Sequence, residues 1–289
     1  MRKKIFLIIG IVVGIVVLFL IGGEVVKRQT GLHEQTGRTD SGATEQIPTI
    51  TANFVNLDQI AAITKFRSCQ GHIVVPQDGS ETRSNMKHYF YLKKEFTKEQ
   101  GQVPLYAPFD GYVTDIFDGD GEFSDRNPLS RDVSLGTKKG ITARSAWALT
   151  ILHIVPVETL KEGDAVKAGD LLGYVSLELI PPYFAFDVTY AKMGTMPKQI
   201  DNWRSPYKAL DSVFNHMDST VLAEYDKRFG AGTALDFSVA KAMRDASPCQ
   251  YGEDGRQFSR QLNKDWDNDW IGNLNDAIDK TSSDQGNER

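Results

Sequence analysis

The chain has 289 residues, a formal net charge of −5 and no Lys/Arg-dense, aromatic-interleaved segment, which argues against a nucleic-acid surface. The mildly acidic balance is ordinary for a soluble ectodomain and identifies no partner. The length admits one large domain, or one domain with an extension, once the N-terminal segment is set aside.

Arg2, Lys3 and Lys4 precede an uncharged run from Ile5 to Gly23 built of Ile, Val, Leu, Phe and Gly. At 1.5 Å per residue the run extends about 28 Å, close to the thickness of a bilayer core. It exceeds the apolar region of a cleaved signal peptide, and no small-x-small cleavage site or lipoprotein cysteine follows it. It is read as an uncleaved anchor over 5–23, with residues 1–4 cytoplasmic and the bulk of the chain outside the cell membrane, although Lys27 and Arg28 beyond the span weaken the charge asymmetry. From Glu24 to Thr49 the chain is polar and poor in apolar residues, so 24–55 is assigned to a flexible tether.

The two cysteines, Cys69 and Cys249, are a disulfide candidate in an oxidising compartment, with two unrelated buried thiols as the alternative. Short β-branched and aromatic runs punctuated by Gly, Asp and Pro predict strands over His72–Val75, Tyr89–Leu92, Gly111–Ile116, Ala148–Ile154, Leu171–Leu177 and Tyr183–Tyr190. Their spacing points to an antiparallel sandwich or barrel. In the last run, Phe184, Phe186 and Val188 alternate onto a core face, and Tyr183, Ala185 and Asp187 onto the other.

From Val103 to Tyr190 the sequence reads VPLYAPFDGYV, then ILHI, then LKEGDAVKAGDLLGYV, then YFAFDVTY. The GDxVxxGDxLG pattern recurs in duplicated hybrid motifs, and the order of segments over Lys87 to Tyr190 resembles the lysostaphin/LytM family of zinc endopeptidases. The resemblance matches His88 to the first zinc ligand of the family's His-x-x-x-Asp and puts Leu92 where the aspartate ligand belongs. It matches His153 to the catalytic histidine. Tyr183 takes the place of the first histidine of the closing His-x-His pair, and Ala185 that of the second, which ligates zinc. No histidine lies between His153 and His216, so shifting the last strand to Phe184 and Phe186 restores nothing.

A catalytic zinc needs three protein ligands and an open position for water. With one ligand position retained, the resemblance implies a degenerate member that holds no cofactor and is no enzyme. Its groove, expected from His88, Leu92, His153, Tyr183 and Ala185, is free to bind an extended peptide or glycan or to regulate an envelope protein, with hydrogen-bonded barrel histidines as the plain alternative for His88 and His153. The implied partners are the membrane and peptidoglycan or an envelope protein. Two alternatives stand beside this: a zinc hydrolase with a relocated site, for which His72, His88 and His153 are the available histidines, and a membrane-fusion-type transport adaptor, against which the lack of a sustained heptad pattern counts. The acidic runs Asp118–Asp125 and Asp265, Asp267, Asp269 read as solvated loops, since Trp270 stands where an EF-hand needs Gly.

Beyond Thr195 the pattern changes. Ser205-Pro206 has the look of a helix start, and Tyr207, Leu210, Phe214, Met217, Val221, Tyr225 and Phe229 recur at helical steps up to Gly230. A second helix is expected over Ala234–Ala246. The expected architecture is therefore mainly β: a duplicated-hybrid-motif, barrel-sandwich-like antiparallel domain over 56–195, a helical extension over 196–272, a disordered tail over 273–289 and one N-terminal transmembrane helix.

Overall fold

In the computed structural model, residues 48–118, 128–140, 146–177 and 185–277 are described. The expected anchor at 5–23, Tyr183 and most of the first acidic run lie outside them. Among the described residues no helix is long and apolar enough to cross a membrane.

Among the described residues eleven strands form one antiparallel network: β1 (Ile60–Thr64), β2 (His88–Leu92), β3 (Pro104–Tyr106), β4 (Gly111–Phe117), β5 (Arg131–Gly136), β6 (Trp147–Pro156), β7 (Ala165–Val166), β8 (Leu171–Val175), β9 (Ala185–Ile200), β10 (Trp203–Asp211) and β11 (Trp270–Gly272). The order across the sheet is β11-β1-β2-β9-β6-β5-β4-β7; β10 pairs with β9, and β8 joins β6 to β3. The predicted strands correspond to β2, β4, β6, β8 and β9, with His72–Val75 the exception. Ile73–Val75 of that run are buried, but the run makes only an isolated bridge at Val74, and it belongs to a long loop from Phe66 to Lys87.

The GD repeat builds two similar turns. Gly163 and Gly169 have positive φ, and Asp164 and Asp170 each accept from the backbone N–H three residues back, at 2.9 and 2.8 Å. Gly173 follows where β8 meets β6: a Cβ there would stand 2.3 Å from the Val155 carbonyl oxygen and 2.7 Å from Pro156 Cα, so only glycine lets the strands approach this closely.

The main core fills one face of the sheet. Ile63, Phe90, Leu92, Leu149, Ile151, Phe186 and Val188 meet Phe54, Phe214, Tyr225 and Phe237 there. Ile50, Phe54 and Val55, counted with the tether by sequence, are buried in this core, because the Ile50 N–H and C=O bond to His216 and Asp218 and fix the segment. A second core gathers Phe66, Ile73, Val74, Val75, Met86, Ala191, Leu210 and Phe258 around Cys69 and Cys249, which are joined by a disulfide. By strand alternation Ala191 shares its face with Asp187 and Thr189, so β9 is covered on both sides.

The expected helix from Ser205 is a strand in its first half. Ser205, Tyr207 and Leu210 lie in β10, and the register shifts between Ser205 and Tyr207, so Pro206 sits at an irregularity where no ladder donor is needed. A short 3-10 turn, Val213–His216, follows. The helix proper, α1 (Ser219–Phe229), is capped by the Asp218 carboxylate accepting from Val221 N–H and ends at Gly230 in the left-handed region. The second expected helix is also divided. Ala234–Phe237 is a 3-10 turn and α2 covers only Lys241–Ala246, because the backbone between them bonds to Phe66 on both sides.

Candidate functional site

The decisive feature is the register of β2 against β9. Tyr91 pairs with Ala185, Phe90 with Phe186, Tyr89 with Asp187 and His88 with Val188. In a strand, neighbours on one face are two residues apart, and a shift of one residue exchanges the faces. His88, Phe90 and Leu92 point into the main core, while Tyr89 and Tyr91 lie on the face of Ala185 and Asp187. Two residues expected to line the groove, His88 and Leu92, are thus on the other side of the sheet.

His88 is a buried structural histidine. Its Nδ1 lies 2.8 Å from the Thr64 carbonyl oxygen and its Nε2 2.9 Å from Ser212 Oγ, and the ring packs between Phe66 and Phe214. A carbonyl only accepts, so the network assigns the proton to Nδ1 and leaves Nε2 to accept from the serine hydroxyl. Burial pushes the imidazole pKa down to about 4. Leu92 is fully buried. The hypothetical triad of His72, His88 and His153 does not converge, since His88 faces away; His72 instead packs at a tilt against Trp203 with centroids 4.4 Å apart.

On the outer face, the residue immediately before β2 takes the prominent place. Lys87 is buried and its Nζ donates to Asp187 Oδ2 at 3.2 Å. Burial is the largest single influence and would lower the ammonium pKa, but the Asp187 carboxylate acting together with Tyr89, Tyr207 and Asp132 outweighs it and holds the group above the ordinary lysine value. Asp187 Oδ2 also lies 3.8 Å from His153 Nε2. His153 has φ of +63°, in the left-handed region that a non-glycine residue seldom adopts.

That backbone has an identifiable cause. Arg131 pairs with Ile154 and Val133 with Ile151, so Leu152 and His153 together oppose the single residue Asp132. This is a β-bulge, and it falls where β6 changes partner, from Asp187 of β9 at Leu152 to Val175 of β8 at Ile154. The His153 N–H, turned out of the ladder, donates to Asp132 Oδ1 at 3.2 Å. Asp132 is buried, and desolvation raises its pKa to about 6, against the opposing influence of His153 and Lys87. The same surroundings depress His72, to about 3, through burial and then through the Lys87 charge.

The site therefore brings together Lys87, Asp132, His153 and Asp187 from four places in the chain. Among the described residues, the expected groove residues on this face are His153 and Ala185, and sequence reasoning missed Lys87 and Asp132. Lys87 left a partial signal, its place four residues before Tyr91, but what selects that spacing over the one from His88 to Leu92 is the pairing of Tyr91 with Ala185, which the sequence does not show. Asp132 carried no such signal, because its place opposite the bulge depends on the pairing of β5 with β6.

This donor set does not fit a zinc ion. A protonated ammonium has no lone pair, Ala185 has no donor atom, and both nitrogens of His88 are engaged elsewhere. Among the described residues no three His, Cys, Asp or Glu side chains are grouped to hold a metal. The Asp265–Asp269 run is likewise structural at its last member: buried Asp269 pairs with Arg244 at 3.1 Å and accepts from the Cys69 N–H beside the disulfide.

No protein-family model matches the chain, and no curated protein does. Among solved structures it is similar to Helicobacter pylori Csd3, with 15% identity over 45% of this chain and 30% of that one and a TM-score of 0.27. It is also similar to lysostaphin, with 14% identity over 49% of this chain and 51% of that one and a TM-score of 0.27. The third is LytU, with 22% identity over 45% of this chain and 78% of that one and a TM-score of 0.28. The matched region is less than a third of the length of Csd3 and less than half of this chain.

Proposed function

We propose that this chain is a membrane-anchored, extracytoplasmic domain of lysostaphin-like build that binds cell-envelope peptide or glycan without cutting it. The observation that carries the reading is the buried Lys87–Asp187 pair on the face of Tyr91 and Ala185. Hydrolysis by the mechanism that the sequence resemblance implies requires a metal to lower the pKa of a bound water and polarise the scissile carbonyl. Lys87, Tyr91 and Ala185 supply no ligand set for that metal, and the Tyr91 phenol is a poor base near neutral pH.

Binding is supported by the aromatic rim. Tyr91 and Trp270 meet edge to face with centroids 4.9 Å apart, both partly exposed, beside Ala185 in the register. Such a pair offers a half-solvated aromatic surface for a sugar face or a peptide side chain. The uncharged run from Ile5 to Gly23 supports the anchor. Sedimentation with purified peptidoglycan, run beside zymography of the same preparation, tests the reading. Co-sedimentation weakened by Tyr91→Ala, with no clearing, is expected; metal-dependent clearing would overturn it.

A further inference from the structure

The cluster around Lys87 contains more than a degraded ligand set. Asp132, His153 and Asp187 come from three adjacent strands, and two of the three side chains are buried carboxylates. Two carboxylates taken out of water repel each other and lose hydration unless a cation lies between or beside them. The fold supplies one. Lys87 reaches Asp187 at 3.2 Å, and both Asp187 and Asp132 act to keep its ammonium charged.

The surroundings hold that ammonium in place. Tyr89 lies on the same face with its hydroxyl against Gly71, where a Cβ would approach to 2.5 Å, so the Phe66–Lys87 loop closes directly over the site. His72 of that loop is kept neutral beside Lys87. The His153 bulge then directs the ring towards Asp187, which the ammonium already occupies.

We propose that the Lys87 ammonium is the resident cation of this site: it organises Asp187, Asp132 and His153 around one fixed positive charge, and by occupying that position it excludes a divalent metal. Lys87 is in this sense a specificity-determining residue, and the inference rests on the metal-free reading of the groove given above. Metal entry requires the ammonium to leave or lose its proton, and either step strands a buried carboxylate. A neutral ligating side chain at position 87 removes the obstacle and contributes a ligand.

The test is a zinc titration of the full-length chain in detergent against a chromophoric chelator, comparing wild type, Asp187→Asn, Lys87→His and the doubles Lys87→His/Asp187→Asn and Lys87→His/His153→Ala. The expected result is no uptake by wild type, one equivalent bound by Lys87→His, and at least tenfold weaker binding in each double variant. If wild type takes up one equivalent that Asp187→Asn abolishes, the metal-free reading fails and this inference with it. If wild type takes up none and a folded Lys87→His also takes up none, the resident-cation inference alone fails. Should Lys87→His not fold, Lys87→Met provides the second measurement: a melting temperature raised by zinc in that variant and not in wild type supports the inference, and an unchanged one overturns it.

Discussion

Replacing His88 with Leu removes a ring that bridges Thr64 and Ser212 at 2.8 and 2.9 Å inside the core. Two buried hydrogen bonds at about 1 kcal/mol each, with about 1 kcal/mol more for the unsatisfied Thr64 carbonyl, give a loss of about 3 kcal/mol near pH 7.5. The loss depends on pH in a definite direction. The folded pKa of His88 is about 4 against an ordinary 6.5, so the unfolded chain takes up the proton first. The contribution of the neutral ring is complete above pH 6.5 and declines as pH falls towards 4. Between pH 7.5 and 5 wild type gives up about 2 kcal/mol through this group, whereas His88→Leu has nothing to titrate there. Asp132, Asp269 and His72 titrate in both proteins and cancel in the difference. Urea unfolding followed by Trp fluorescence should show a gap of about 3 kcal/mol at pH 7.5 that narrows to about 1 kcal/mol at pH 5. A variant as stable as wild type, or a gap that holds or widens on acidification, would refute the core placement of His88.

Two further outcomes follow from the same geometry. Changing both Cys69 and Cys249 to Ser opens a loop of 180 residues. In the chain-entropy model this costs about 5 kcal/mol, so the melting temperature should drop by about 10–20 °C; a drop of under about 2 °C would show that the bridge constrains little. Gly173→Ala forces a Cβ to within 2.3 Å of the Val155 carbonyl oxygen. It should destabilise by about 1–3 kcal/mol, measured by the same urea unfolding, and an unchanged midpoint would mean that β8 and β6 can separate freely.

The β segments at Tyr89–Leu92, Gly111–Ile116, Ala148–Ile154 and Leu171–Leu177 were legible because short β-branched runs lay between Asp-Gly and Gly-Asp turns. The face of β2 was harder to read. In His88-Tyr89-Phe90-Tyr91-Leu92 both faces carry aromatic residues, so alternation alone does not say which is inside, and matching histidine to histidine selected the wrong one. The pairing of Tyr91 with Ala185 decides it, and that pairing is a contact between residues far apart in sequence. Position 205–211 was misread for a similar reason. Tyr207 and Leu210 continue the three- and four-residue steps of the true helix, but β9 extends to Ile200 and offers a partner that local periodicity cannot reveal. His153 was found by motif, whereas the bulge that turns it towards Asp187 depends on β5.

The central claim is that this face is organised by a lysine and not by a metal. Elemental analysis of the purified wild-type chain, incubated with excess zinc and then desalted, tests it most directly. The account predicts zinc at background, unchanged by Asp187→Asn; one zinc per chain, lost in that variant, would contradict it.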